Sequence, residues 1–350
     1  MAQEHGDRLT AIDAGFLAQE GPNAHMHVGA VMIFDGPAPA YEELAEHVRG
    51  RLHLVPRFRQ KLAFPPLETG RPLWVDDPSF NLEYHVRDTA LPAPGAEAQL
   101  RALAARVHSQ ALDRSKPLWE MWLVHGLESG RFALISKTHH ALVDGISGVD
   151  LATVLFDPGP TPAEVPHGDS AWRPRGSPSG IDMVGRGVRG LVRLPFDATA
   201  RAIGAAARPG EALHATREAL EGLGEVVWAG LNPAPSTPFN VEIGPHRRLV
   251  WVRHELADFK RVKDAFGTTV NDVVLAVVAG ALQKFLQARG VRTEGLELRA
   301  LVPVSIRARD EHHQLGNRLA AMRGPLPVYI EDPVARLRVV KQAMDGLKES

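Results

Sequence analysis

Three observations predict an α/β fold in two parts. Strand-like and helix-like runs alternate over residues 1–156, a proline- and glycine-rich stretch interrupts them, and the alternation resumes after Arg247. In the first part "HMHVGAVMIF" (25–34) and "WEMWLVHGL" (119–127) read as strands, while "YEELAEHVRGRL" (41–52) and "EAQLRALAARVHSQAL" (97–112) carry helical periodicity. "EMWLVHGL" and "RFALISKT" are joined by "ESGR", the spacing and glycine content of a β-hairpin. Both runs are apolar on both faces, so the hairpin is expected at the buried centre of a sheet.

From Asp157 to Pro178 the stretch "DPGPTPAEVPHGDSAWRPRGSP" admits no regular element, and residues 181–231 show a helical pattern broken by glycines. "RRLVWVRHEL" from Arg247 then predicts a strand, "VNDVVLAVVAGALQKFLQARG" from Val270 a buried helix, and "LELRALVPVSIR" another strand. "DPVARLRVVKQAMDGLKES" closes the sequence as an amphipathic helix. The expected division is 1–156, a first domain; 157–240, a linker and arginine-rich crossover; and 241–350, a second domain. That second unit reads as shortened, because one or two strands would leave sheet edges unpaired and apolar surface exposed.

Composition narrows the function classes. With 350 residues, 44% hydrophobic and 23% charged, the chain has apolar material for two cores. A formal net charge of −1 and a pI near 7.0 argue against general nucleic-acid binding. The absence of cysteine excludes disulfides, thiolate metal sites and a cysteine nucleophile, and fits a reducing compartment. "MAQEHGDRLT" lacks the pattern of a signal peptide. The longest apolar run, Val273 to Leu282, falls short of the ~20 residues of a membrane span. These features give a cytoplasmic expectation.

The stretch "SKTHHALVDGISG" (136–148) is where chemistry is expected. Phe132, Leu134, Ser136, Thr138 and, if the extension persists, His140 share one strand face, while His139 belongs to the other. The two histidines are therefore not expected to do the same job. Asp144 falls at the cap of a helix spaced by Ile146, Val149, Thr153 and Phe156, and Gly145 lets the backbone turn. Three readings are open: an ordinary strand end with a helix cap; a metal site of His139, His140 and Asp144; and a catalytic site with one histidine as general base. The metal reading is weak, because adjacent strand residues point oppositely and no third histidine at helical spacing completes it. Histidine suits the catalytic one, since its ordinary pKa of ~6.5 lets it accept and return a proton near neutrality.

"HHALVDG" (139–145) fits the pattern HHxxxDG, the signature of coenzyme-A-dependent acyltransferases and of peptide-synthetase condensation domains. "AIDAGFLAQEGPNAHMHVGAVMIF", "KPLWEMWLVHGL", "NDVVLAVVAGAL", "LVPVSIR" and "LGNRLAAMRGPLP" resemble, in the same order, segments of the bacterial wax ester synthase/acyl-CoA:diacylglycerol acyltransferase family. The resemblance runs from about Leu9 to the last residue, and PLW and MHVG distinguish it from condensation domains. It implies two chloramphenicol-acetyltransferase-like α/β sandwich domains, the second shortened relative to the family. It also implies transfer of a fatty acyl group from acyl-CoA, a co-substrate rather than a bound cofactor, to diacylglycerol or a long-chain alcohol. In that family's terms His140 is the base, Asp144 its structural partner, and His139 and Gly145 support them. The alternatives are a condensation-type enzyme with a carrier-bound acyl donor and an inactive, shortened lipid-binding homologue.

Direct attack by an alcohol on a thioester needs deprotonation, positioning and one oxyanion donor, but no enzyme nucleophile and no metal. Asn271 and Ser147 are the oxyanion candidates; Asn271 reads equally well as the cap of the helix that follows it. Trp119 reads as a packing residue, with Pro117 and Leu118 leading into its strand. His25 and His27, two apart on one strand face, could hold a metal but fit better as packing or tunnel-lining groups. His312 and His313 read as solvated, and Glu20 as a residue supporting the site from behind. Between Arg173 and Arg217 eight arginines against Asp182, Asp197 and Glu211 leave a local charge of +5. Arg186, Arg189 and Arg193 share a helical face that could meet an anionic membrane or lipid droplet, or be solvated on the protein's own surface.

Overall fold

The computed structural model describes residues 8–66, 70–143, 156, 172–176, 235–305 and 319–349. They form two compact units, the first holding the described residues up to 176 together with Ile243–Val250, the second the remainder.

The first unit is built on a four-stranded sheet. Its elements are α1 (Ala11–Gln19), β1 (His27–Phe34), α2 (Tyr41–Arg51), β2 (Gln60–Ala63), β3 (Leu73–Asp76), α3 (Leu82–His85), β4 (Val86–Ala90), α4 (Glu97–Ser109), β5 (Trp119–His125), β6 (Phe132–His139) and α5 (His140–Val143). The sheet order is β1-β6-β5-β4, with β4 and β5 parallel and the other neighbours antiparallel; β2 and β3 pair separately. The expected hairpin is β5–β6, and it occupies the two central positions. Its largely apolar faces explain why: a central strand covered on both sides reads as a near-continuous apolar run. The register sets His27 on β1 opposite His139 on β6.

Trp119 fixes the start of β5. It is fully buried, its ring stacks on His85 at 4.7 Å, and its Nε1–H donates to the Phe58 carbonyl at 2.8 Å. The packing role expected for this residue is the one found. On β6 the Lys137 ammonium is buried and donates to the carbonyls of Val107 and Gln110, at 2.8 and 2.9 Å, where α4 ends. Carbonyls at a helix C-terminus keep spare acceptor capacity, and a cation there complements the helix dipole. Glu120 lies 2.5 Å from the same ammonium. Gly29 of MHVG lies under the His108 ring, which would stand 2.1 Å from a Cβ, so glycine is required for α4 to approach β1.

The second unit contains α6 (Leu256–Phe266), α7 (Val270–Ala288), β7 (Leu298–Ser305), β8 (Leu319–Leu326) and α8 (Pro333–Glu349). β7 and β8 pair antiparallel, and Val273 and Ala276 of α7 pack with Val302, Leu337, Val340 and Met344. Gly280 makes room for Arg336, whose guanidinium donates to Gln283 at 2.7 Å and to the Ile330 carbonyl at 2.6 Å.

Five expectations are corrected. "RRLVWVRHEL" forms no strand: it runs irregularly from Arg247 to Glu255, with Val250 and Val252 exposed at 83% and 79%. Apolar alternation alone does not make a strand; a continuous ladder of backbone hydrogen bonds to a neighbouring strand must form as well. The helix expected to be buried is buried on one stripe, while Val274, Val277, Val278 and Phe285 of α7 are exposed. At 19 residues α7 also has the length and apolar composition of a membrane span, a test that core helices pass as well. The cap of α7 is Thr269 rather than Asn271; its hydroxyl accepts the Asp272 N–H at 3.2 Å, and Asp272 accepts the Thr269 N–H at 2.9 Å. Finally, β6 stops at His139, so His140 does not continue the Thr138 face, and His25 precedes β1 rather than lying on it.

Trp119→Phe should lower the unfolding free energy by about 2–4 kcal/mol, combining a stranded buried carbonyl with a small cavity. Urea denaturation measures it, and an unchanged midpoint would show that the indole does not anchor this strand.

Candidate active site

The site is built where β6 turns into α5. The His139 N–H donates to the Leu118 carbonyl at 2.9 Å, in the PLW segment, and the His140 N–H donates to the Met26 carbonyl at 2.8 Å, in the MHVG segment. Two distant stretches thus hold the backbone of the two histidines separately. The break in the strand also separates their side chains. His139 is buried, at 1% exposure, and its Nδ1 accepts the Ala141 N–H at 3.0 Å. A nitrogen that accepts carries no proton, so the neutral His139 ring is protonated at Nε2. The His140 ring is half-buried and lies on Phe16 of α1, with centroids 4.0 Å apart.

Glu20 joins these parts. Its Oε1 accepts the Met26 N–H at 2.9 Å and stands 3.3 Å from His139 Nε2. That second contact lacks the alignment of a full hydrogen bond and acts as an electrostatic one. Oε2 accepts from Arg114 Nε at 3.2 Å and from Nη2 at 2.5 Å. Burial pushes the Glu20 carboxyl up, but the Arg114 guanidinium and the Met26 N–H outweigh it and hold the group below its ordinary value. Burial pushes His139 down, with the Glu20 charge opposing only in part, so the ring is neutral at pH 7.

Behind His139 lies His27, 3.9 Å from Glu20 Oε1, with its ring edge-on to His139 at 6.2 Å and stacked on His25 at 5.1 Å. Burial, followed by the positive charge of Lys137, pushes His27 down to about 3. Among the described residues no group of three or more His, Asp or Glu side chains is disposed to hold a metal ion.

Of the expected site residues, the fold brings together His139, His140 and Glu20. Asp144, Gly145 and Ser147 lie outside the described residues, as do His312, His313 and the arginine face of Arg186, Arg189 and Arg193. Asn271 is exposed on the first turn of α7 in the second unit. Sequence reasoning missed Arg114 and Phe16. Arg114 stands three residues before PLW, and that adjacency to a singled-out segment was the available signal.

Residues 9–274 match the family model described as the wax ester synthase/diacylglycerol acyltransferase catalytic domain, and residues 315–350 match the WS/DGAT C-terminal domain. The chain is 34% identical over 351 residues to a Mycobacterium tuberculosis protein named as a probable diacylglycerol O-acyltransferase, covering 98% of this chain and 71% of that one. A second such protein of the same species is 34% identical and covered to 74%. A solved wax ester synthase/diacylglycerol acyltransferase from Marinobacter aquaeolei VT8 is 29% identical, with a TM-score of 0.63 over 98% of this chain and 72% of that one. The first condensation domain of the calcium-dependent antibiotic synthetase, 18% identical with a TM-score of 0.52, shares the fold alone. The α/β fold of the chloramphenicol-acetyltransferase type is thereby shown.

The depressed His27 pKa has a consequence for stability. The unfolded chain protonates this residue near 6.5, whereas the folded chain does so near 3. The unfolded state binds more protons between those values, so this contribution is complete above about pH 6.5 and is lost as pH falls toward 3. His27→Gln should give a shallower loss of thermal midpoint across that window; His85 and His108, also pushed down by burial, keep some slope. An unchanged profile would contradict this assignment.

Proposed function

We infer the chemistry of the site from the premise that this chain belongs to the wax ester synthase/diacylglycerol acyltransferase family and is an O-acyltransferase. The donor we propose is a fatty acyl-CoA and the acceptor the hydroxyl of diacylglycerol or a long-chain alcohol, giving triacylglycerol or wax ester. No further cofactor is needed.

The observation that carries the mechanism is the division between the two histidines. His139 is buried, neutral and directed by its ring nitrogens at Ala141 and Glu20. His140 is half-buried at the first position of α5, and this greater exposure supports assigning it, rather than His139, to the substrate. As general base it removes the proton from the acceptor hydroxyl while the oxygen attacks the thioester carbonyl. The tetrahedral oxyanion collapses, the carbon–sulfur bond breaks, and the departing thiolate takes the proton back from the imidazolium. No acyl-enzyme forms. His139 contributes by holding the turn: its Nδ1 accepts the N–H of the residue after His140 and fixes the start of α5. Asp144 and Gly145 keep the supporting part that the motif gives them, and the oxyanion donor is sought at Asn271 or Ser147. We also propose a cytoplasmic location with peripheral contact at a membrane or lipid droplet through the arginine face.

His140→Ala should lower turnover by ~10²- to 10⁴-fold with acyl-CoA binding little changed, because the ring acts in the transition state. Thiol release from acyl-CoA in the presence of a long-chain alcohol reads the rate. Near-normal turnover in a folded variant would end the general-base assignment, and turnover only with a carrier-bound donor would replace acyl-CoA.

A further inference from the structure

We propose that Arg114 is a positioning residue for His140, a guanidinium outside the catalytic motif that holds the histidine from two sides at once. The proposal rests on the acyl-transfer reading for its kinetic test only.

On one side the route runs through Glu20. Arg114 clamps Oε2 with Nε and Nη2, Oε1 accepts the Met26 N–H at 2.9 Å, and the Met26 carbonyl accepts the His140 N–H at 2.8 Å. On the other side it runs through α1. Nη2 also donates to the Leu17 carbonyl at 3.1 Å, and the neighbouring Phe16 presents its ring to His140 at 4.0 Å. α1 and the chain from Glu20 to Met26 have no other charged group tying them to the loop before β5 among the described contacts. That loop is itself held: the Asp113 carboxylate accepts the Ser115 N–H at 2.9 Å and its hydroxyl at 2.7 Å, and lies 2.6 Å from Lys116 Nζ. Four residues after Arg114, Leu118 accepts the His139 N–H. One short loop therefore sets the backbone of His139 directly and that of His140 through Arg114.

The energetics separate this role from general stability. Arg114 is 41% exposed and Glu20 11% exposed, and a pair open to solvent on one side contributes little to folding. Its effect is expected in geometry, where a misplacement on the order of 1 Å can cost ~10²-fold in rate.

The test uses Arg114→Ala, Arg114→Lys, Glu20→Gln and the double variant Arg114→Ala/Glu20→Gln. Arg114→Ala should fold with a near-normal thermal midpoint and lose ~10- to 10²-fold in kcat, with KM changed by less than about threefold; lysine should restore part of the loss. In the Glu20→Gln background the further cost of Arg114→Ala should shrink to about twofold, because its main route is already cut. Histidine ¹⁵N spectra supply an arm independent of turnover: Arg114→Ala should move the His139 ring signals, since Glu20 faces that ring, and Arg114→Lys should move them less. If the unaltered chain releases no thiol from any acyl-CoA, the acyl-transfer reading fails while the spectra still decide the role of Arg114. Unchanged His139 signals in a folded Arg114→Ala protein, or a kcat loss fully additive with that of Glu20→Gln, would overturn the proposal.

Discussion

A carboxylate taken mostly out of water must be compensated where it sits, and Glu20 is compensated by groups from three separate stretches of chain. The Arg114 guanidinium, the Met26 N–H and the edge of His139 surround it. The Arg114 side of the pair is open to solvent, so this compensation fixes geometry more than it adds stability. Each of those partners belongs to a segment that the proposed chemistry uses: the loop before PLW, the approach to MHVG, and the end of β6. Satisfying one charge thus brings the three segments into register.

The second constraint is the change of backbone direction at His139. Had β6 continued one more residue, His140 would have shared the Thr138 face. Instead the last bond toward β1 runs from the His140 N–H to the Met26 carbonyl, α5 begins at His140, and the His139 ring turns back to accept the Ala141 N–H. The result is two adjacent residues of the same type with different ring partners and different exposure. The rest of the first unit supports that corner: Trp119 anchors the neighbouring strand through the Phe58 carbonyl, and Lys137 locks β6 to the end of α4.

How much was legible in the sequence depended on the range of the interaction involved. The β5–β6 hairpin was legible because its information is local: two apolar runs and a four-residue turn. That His139 and His140 have different surroundings followed from strand alternation, although the strand ended sooner than alternation assumed. Glu20 was legible only as a residue behind the site, since its main partner is Arg114, 94 positions away, and nothing near "AQEGPN" announces an ion pair. The expected strand at Arg247 did not form because a valine-rich alternation records which face a segment could bury, and here Val250 and Val252 are exposed. Asn271 lost the capping role to Thr269, two residues earlier, where a hydroxyl and the Asp272 carboxylate close a capping box that the pattern of apolar residues does not mark.

The claim on which the rest turns is that His139 is a neutral structural ring, leaving His140 to move the proton. Histidine ¹⁵N chemical shifts of the unaltered protein at pH 7, with His139 assigned by substitution, measure this directly. The account predicts a neutral His139 ring carrying its proton on Nε2, with Nδ1 unprotonated against the Ala141 N–H. A doubly protonated His139, or a neutral ring protonated at Nδ1, would contradict it.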